Sequence, residues 1–196
     1  MQLDDVSAMD VTKIIEPVMR PSLIKNAAPI RTVILDAGHG GHDSGAKGNR
    51  GIEKEAALDV VLRAKRLLEQ NGYTVHTTRS RDVFIPLEDR AAFANKYPNA
   101  IFVSVHFNKS LGGGASGIET FALAPRGVPS MDEENFSYSD LKQHPGHARD
   151  PENIALATAL HSSMLRQMRL YDRGIKRARF VVIRDIKIPG VLLEGG

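Results

Sequence analysis

The apolar positions of this chain fall into short continuous runs separated by stripes at helical spacing. Val33-Ile34-Leu35 predicts a buried strand over residues 31–36. A loop over residues 37–52 follows, with six glycines, and a loop this long is usually functional or disordered. From residue 53 to 71, Ala57, Val60, Val61, Ala64, Leu67 and Leu68 share a helical stripe, and Gly72 stands where helices end. A second strand is expected over residues 73–78, and Pro86 opens a second helix running to about residue 96. Residues 100–105 form a third strand that His106 ends, and residues 117–124 form a fourth after the flexible turn Gly112-Gly113-Gly114. Residues 125–151 are polar, carry Asp132-Glu133-Glu134 and the solvated His144 and His147, and predict a long surface excursion. A third helix over residues 152–170 places Ala157, Leu160, Met164 and Met168 on one core-facing side, and the last strands are expected over residues 179–184 and 190–194.

Strands that alternate with helices imply right-handed crossovers, hence an α/β fold with a mostly parallel twisted sheet of about six strands flanked by helices. Pro17 and Pro21 interrupt any helix near the start, so residues 1–29 read as an extended lead-in or linker to a single domain over residues 30–196. A sheet strand at the very end, with no covering helix after it, predicts a domain truncated at its C-terminus.

Composition narrows the functional classes. The chain has 196 residues, 42% hydrophobic and 25% charged, with a net charge of only +3 and interspersed signs. That argues against a dedicated nucleic-acid surface. The absence of cysteine removes disulfides, thiolate metal sites and Cys nucleophiles together. No apolar run is long enough to span a membrane. The acidic N-terminus lacks an apolar core, so no signal peptide is read.

The candidate chemistry sits at strand ends. His39 follows the first strand inside a glycine loop, His106 ends the third, Glu194 ends the last, and Glu53 opens the first helix. Parallel strands end on one edge of their sheet, and a crossover helix starts where its strand ended, so these side chains can converge. Two histidines and a carboxylate are a ligand set for a catalytic zinc with an open position for water. Glu194, after the apolar run Val191-Leu192-Leu193, suits a partly desolvated proton carrier. Glu53 equally suits a helix N-terminus, where a carboxylate meets the positive dipole end, and His106 a hydrogen-bonded core histidine; the residues alone leave these readings open.

Several stretches carry a family resemblance. They are residues 34–41 (Ile-Leu-Asp-Ala-Gly-His-Gly-Gly), Asp43-x-Gly45-Ala46, Gly51-Ile52-Glu53-Lys54, Thr78-Arg79 with Asp82, Pro86-Leu87-x-x-Arg90 and Ala94-Asn95. Further on come Phe102-Val103-Ser104-Val105-His106-x-Asn108, Gly117-Ile118-Glu119-Thr120, Asn153, Arg173-Gly174-Ile175-Lys176 and Pro189-Gly190-Val191-Leu192-Leu193-Glu194. In this order they resemble the zinc-dependent N-acetylmuramoyl-L-alanine amidases of the Amidase_3 type. The resemblance implies that His39, Glu53 and His106 bind Zn2+, that Glu194 is the catalytic acid/base, and that Asn108 and Glu119 contact substrate or support the site. It also implies the bond, the amide between the lactoyl group of N-acetylmuramic acid and L-alanine in peptidoglycan. A periplasmic or extracellular monomer acting on the cell wall is the matching expectation, with any protein activator left open. Two departures stand out. Phe107 replaces a residue that is often small in the family, and the closing aromatic and helix that usually follow Glu194-Gly195 are absent. The alternatives are a zinc carboxypeptidase or deacylase, which needs a cation such as Arg79, Arg90 or Arg173 aimed at a substrate carboxylate, and a non-catalytic wall-binding module, which an altered ligand would favour.

Overall fold

The computed structural model describes residues 30–48, 51–107, 117–131, 136–168 and 170–195. The expectations for residues 1–29, for Asn108, for the turn at Gly112-Gly113-Gly114 and for Asp132-Glu133-Glu134 fall outside these residues.

In chain order the elements are β1 (Thr32–Ala37), β2 (Lys47–Gly48), β3 (Gly51–Ile52), α1 (Glu53–Gln70), β4 (Thr74–Thr77), α2 (Leu87–Ala94) and β5 (Ala100–Phe107). They continue with β6 (Ile118–Leu123), two 3-10 turns at Tyr138–Leu141 and Pro145–Arg149, α3 (Asp150–Gln167), β7 (Asp172–Ala178), α4 (Val181–Arg184) and β8 (Gly190–Gly195). The main sheet has six strands in the order β4-β1-β5-β8-β6-β7. The first four are mutually parallel, β6 runs antiparallel to β8, and β7 runs parallel to β6. The mostly parallel α/β sheet of about six strands is therefore the one expected. β2 and β3 form a small separate hairpin in the glycine loop.

Helices cover both faces, which is why the central strands are apolar on both sides. Ala57 and Val61 of α1 and Ile154 and Ala157 of α3 pack with Val33, Leu35, Val103, Val105 and Val191 on one face. Ala91 and Ala94 of α2 and Val182 and Ile183 of α4 pack with Ile34, Phe102 and Leu192 on the other. Each fully buried Ile or Val here contributes about 1.5–3 kcal/mol relative to exposure. Among the described residues no helix is long and apolar enough to cross a membrane.

Four expectations need correction. The strand expected over residues 179–184 is the short helix α4, and the preceding residues Asp172–Ala178 form the strand. Val181-Val182-Ile183 is β-branched, but its three residues turn onto the sheet against α2, and a run that short has no decisive period. On α1 the stripe is narrower than read. Ala57, Val61, Ala64 and Leu68 face the core, whereas Val60 and Leu67 are exposed. On α3 the buried positions are Asp150, Asn153, Ile154, Ala157 and His161, Leu160 packs against the core as expected, and Met168 is exposed at the helix end. The polar excursion is not simply solvated. Asp140 and Asp150 are buried and paired with Arg179 and Arg177, and both His144 and His147 are half-buried. His147 Nε2 lies 3.0 Å from the carbonyl of Ala124.

The other histidines do structural work. His161 is buried, with Nδ1 2.9 Å from Thr120 Oγ1 and Nε2 2.9 Å from Asp172 Oδ1, so it ties α3 to β6 and the start of β7. His76 stacks on Tyr97 with ring centroids 4.2 Å apart.

Candidate metal centre and active site

The glycine loop is held open from beneath by two buried arginines. Asp36, fully buried in β1, accepts hydrogen bonds from Arg90 Nη1 (2.9 Å), Thr78 Oγ1 and Ser104 Oγ (2.7 Å). The same Arg90 donates to the carbonyls of Ala37 and His39, both at 2.7 Å. Arg79 donates from Nε to the Ala37 carbonyl and from Nη2 to those of Gly38 and Lys54. Buried backbone carbonyls require such donors. Both guanidinium groups are committed to this scaffold, and Arg173 is paired with Glu119. The carboxypeptidase alternative therefore loses Arg79 and Arg90 as carboxylate receptors.

The scaffold sets His39 in an unusual backbone conformation. Its φ is +58°, the one positive φ outside glycine among the described residues. Side chains with a Cβ adopt this region at a cost, which is commonly accepted where function fixes the geometry. The β1 register opposite β5, and that of β5 opposite β8, bring the strand ends together: Ala37 faces Val105, and His106 faces Glu194. Glu53 returns to the same edge as the first residue of α1, its N–H bonded to the Ala46 carbonyl at 2.9 Å.

His39, Glu53 and His106 converge on one point, with ligand atoms all within 4.8 Å of one another. His39 Nε2 lies 2.9 Å and His106 Nδ1 3.0 Å from Glu53 Oε1. The N–H groups of Phe107 (3.0 Å) and Ala46 (2.7 Å) donate to the two Glu53 oxygens. Burial pushes the Glu53 carboxyl up, but the hydrogen bonds from His106, His39, Ala46 and Phe107 outweigh it and hold the carboxyl far below the usual range. Glu53 is thus ionised at neutral pH. Its bond to His39 raises the His39 pKa against the effect of burial.

These residues fit a metal ion. The donors are two imidazole nitrogens and one ionised carboxylate, a set suited to zinc. His39 Nδ1 meets Asp43 Oδ2 at 2.8 Å, the outer-sphere support that orients a ligating imidazole. Two glycines clear the space. A Cβ on Gly38 would stand 2.4 Å from His106 Cε1, and one on Gly45 would stand 2.5 Å from both Glu53 Oε2 and His39 Cδ2.

Glu194 stands beside His106 across the strand pair, and its Oε2 has no hydrogen-bond partner among the described residues. Burial pushes its carboxyl up to about 7, against the pull of His106. A group of that pKa can both take and give a proton near neutrality. A cleft of about 1180 Å³ opens from this cluster along the sheet, walled by Phe84, Ile85, Leu87, Phe180 and Val181. Glu119 also lies next to Glu194, directly opposite it on β6, but its oxygens are engaged by Arg173 and Lys176. His42 stands outside the cluster, its ring 4.2 Å from that of Phe84.

The sequence reading named the four central side chains and held Asp43, Arg79 and Arg90 only as parts of the family stretches, without a supporting role. Asp43 carries a local signal, an acid four residues after His39 within the glycine loop. Arg79 and Arg90 carry no local signal of their role, because their partners are backbone carbonyls and, for Arg90, an aspartate 54 positions away.

A model of the Amidase_3 family, described as N-acetylmuramoyl-L-alanine amidase, matches residues 33–196. The chain is 31% identical over 192 residues to the N-acetylmuramoyl-L-alanine amidase AmiA of Escherichia coli K12, an alignment covering 87% of this chain and 66% of AmiA. It therefore spans just under two thirds of that relative's length. The crystal structure of an N-acetylmuramoyl-L-alanine amidase from Clostridium difficile 630 is similar at a TM-score of 0.65 and 29% identity, covering 85% of this chain and 79% of that one. The catalytic domain of CwlV from Bacillus (Paenibacillus) polymyxa is similar at a TM-score of 0.63 and 30% identity, covering 84% and 79%. With a family match that takes in every strand and helix from β1 to β8, the chain belongs to the N-acetylmuramoyl-L-alanine amidase family.

Proposed function

We propose that this protein hydrolyses the amide between N-acetylmuramic acid and the L-alanine of the stem peptide, using zinc held by His39, Glu53 and His106 and Glu194 as acid/base. The observation that carries the reading is the pairing of a His-Glu-His cluster, its Glu53 buried and ionised, with a second, desolvated carboxylate at the end of an open cleft. Family membership supplies the bond. When bound, zinc supplies Lewis-acid polarisation of the scissile carbonyl and acidifies water. The protein's own part is orientation and proton transfer. Asp43 and the Phe107 and Ala46 N–H groups fix the ligands, and Glu194 takes the proton of the attacking water and delivers it to the departing amine. The place of action is the cell envelope, periplasmic or extracellular, where the substrate lies.

Mass analysis of peptidoglycan fragments tests this. Incubation with zinc-loaded protein should release intact stem peptides beginning with alanine, chelator should abolish release, and added zinc should restore it. Peptides cut internally, or cut glycan, overturn the reading.

Gly38→Ala is a structural test of the same cluster. The added methyl meets the His106 ring, so the imidazole must turn away from Glu53. Zinc affinity should fall by about 10- to 100-fold, the usual cost of disturbing ligand support. Overpacking should also cost about 1–3 kcal/mol of stability. Titration with a competing chelator and urea denaturation measure the two effects separately.

A further inference from the structure

Glu119 and Glu194 face each other across the antiparallel β6–β8 pair, so both side chains lie on one face of the sheet. Phe121 and Leu192, each two residues away along its strand, share the core cluster on that same face. Two neighbouring carboxylates disfavour each other's charged form. At Glu119, 3% exposed, the charge is answered by two cations. Arg173 Nε lies 3.4 Å from Oε2, and Lys176 Nζ pairs with Oε1.

One buried carboxylate needs one cation. The second also faces the neighbouring Glu194 carboxyl, which Arg173 draws down against burial, and both cations stay partly open to solvent, with 31% of the Arg173 and 21% of the Lys176 side chain exposed. Neither is loosely placed. The Lys176 ammonium sits 6.0 Å from the centre of the Phe121 ring. The Arg173 stem passes over Gly117, where a Cβ would come within 2.8 Å of its Cδ. Arg173 meets Glu119 through Nε, and among the described residues the Nη groups of its fork make no hydrogen bond. A guanidinium fork and an ammonium, fixed side by side with spare donors, suit a carboxylate.

We propose that Arg173 and Lys176, held by Glu119, form a carboxylate-binding subsite for the peptide portion of the substrate, on the β7 side of Glu194. The inference rests on the amidase reading, which makes an acidic stem peptide the leaving group. Glu119 acts as a positioning residue: it holds the two cations and does not itself meet the peptide.

The test uses zinc-loaded protein and two muramoyl peptides that differ only in whether the stem-peptide carboxylates are free or converted to carboxamides. The wild type should prefer the carboxylate form by about 10- to 100-fold in kcat/KM, mostly through KM, the scale of one or two charge-assisted hydrogen bonds. Lys176→Gln and Arg173→Gln should each move that ratio towards one, and Lys176→Arg should recover most of it. Each single substitution leaves Glu119 one cation, and a thermal melt checks that the fold is kept. A wild-type ratio of one, or equal losses on both substrates, overturns the subsite. Calorimetric binding of the free stem peptide in its carboxylate and carboxamide forms decides the subsite even if neither muropeptide is cut. Tighter carboxylate binding that Lys176→Gln abolishes supports it, while lack of cleavage overturns the amidase reading alone.

Discussion

Glu194→Gln should lower turnover on muropeptide by about 10²–10⁴-fold, the contribution typical of a positioned general acid/base, while zinc content and fold are retained. The amide nitrogen is a poor leaving group until it is protonated, so under the proposed mechanism removing the Glu194 carboxyl takes away the proton that the departing amine needs. Gln has the shape of Glu and leaves His39, Glu53 and His106 untouched. Loss of zinc from the variant would make Glu194 a ligand instead, and near-normal turnover would move the acid/base role elsewhere. The stability of the chelated protein gives a second readout. Because burial raises the Glu194 carboxyl from 4.5 to about 7, its contribution to stability is fully present below about pH 4.5 and is lost as pH rises through about 7. Gln carries no such penalty. Relative to the wild type, the variant should therefore gain stability as pH rises from 4.5 to 7 and keep that gain above 7, as thermal midpoints across the pH series will show.

Arg90→Met should cost about 3–5 kcal/mol, because breaking a buried ion pair strands the remaining charge. Arg90 is 2% exposed and Asp36 is fully buried. Methionine fills the space of the stem but leaves Asp36 with only the Thr78 and Ser104 hydroxyls. It also removes the donor to the His39 carbonyl and leaves the Ala37 carbonyl with Arg79 Nε alone. Against a typical total of 5–15 kcal/mol, that is a large share. Urea denaturation measures it. Adding Asp36→Asn should recover part of the loss, since the stranded charge is then gone, and strict additivity of the two substitutions would refute the coupling.

Which parts of this architecture could be read from sequence follows from where each element lies. β1, β5 and β8 are interior strands covered on both faces, so Val33-Ile34-Leu35, Phe102-Val103 and Val191-Leu192-Leu193 stand out as apolar runs. β7 is an edge strand whose residues Asp172–Ala178 are mostly polar and half-exposed, and nothing in their pattern separates them from a loop. The buried pairs Asp140–Arg179 and Asp150–Arg177 look like solvated charge in sequence, because each partner sits 27 or more positions from the other. In the site, strand-end topology was enough to group His39, His106 and Glu194, and the crossover rule added Glu53. The supports were hidden for a different reason. Asp43 serves a ring nitrogen four positions away, a spacing that many idle acids share, and Arg79 serves carbonyls, which leave no spacing rule behind.

The central place of β8 bears on how the chain is made. Among the described residues it is the last strand of the sheet in chain order, yet it lies between β5 and β6 and is the only link between β4-β1-β5 and β6-β7. During synthesis, everything up to Pro189 can leave the ribosome as two separate strand groups with exposed apolar edges, and the sheet closes only when residues 190–195 arrive. Such late, long-range pairing is slow and leaves intermediates exposed. It also means that Glu194 arrives with the strand that joins the two groups, so a nascent chain that stops short of β8 carries His39, Glu53 and His106 without the carboxylate that faces His106.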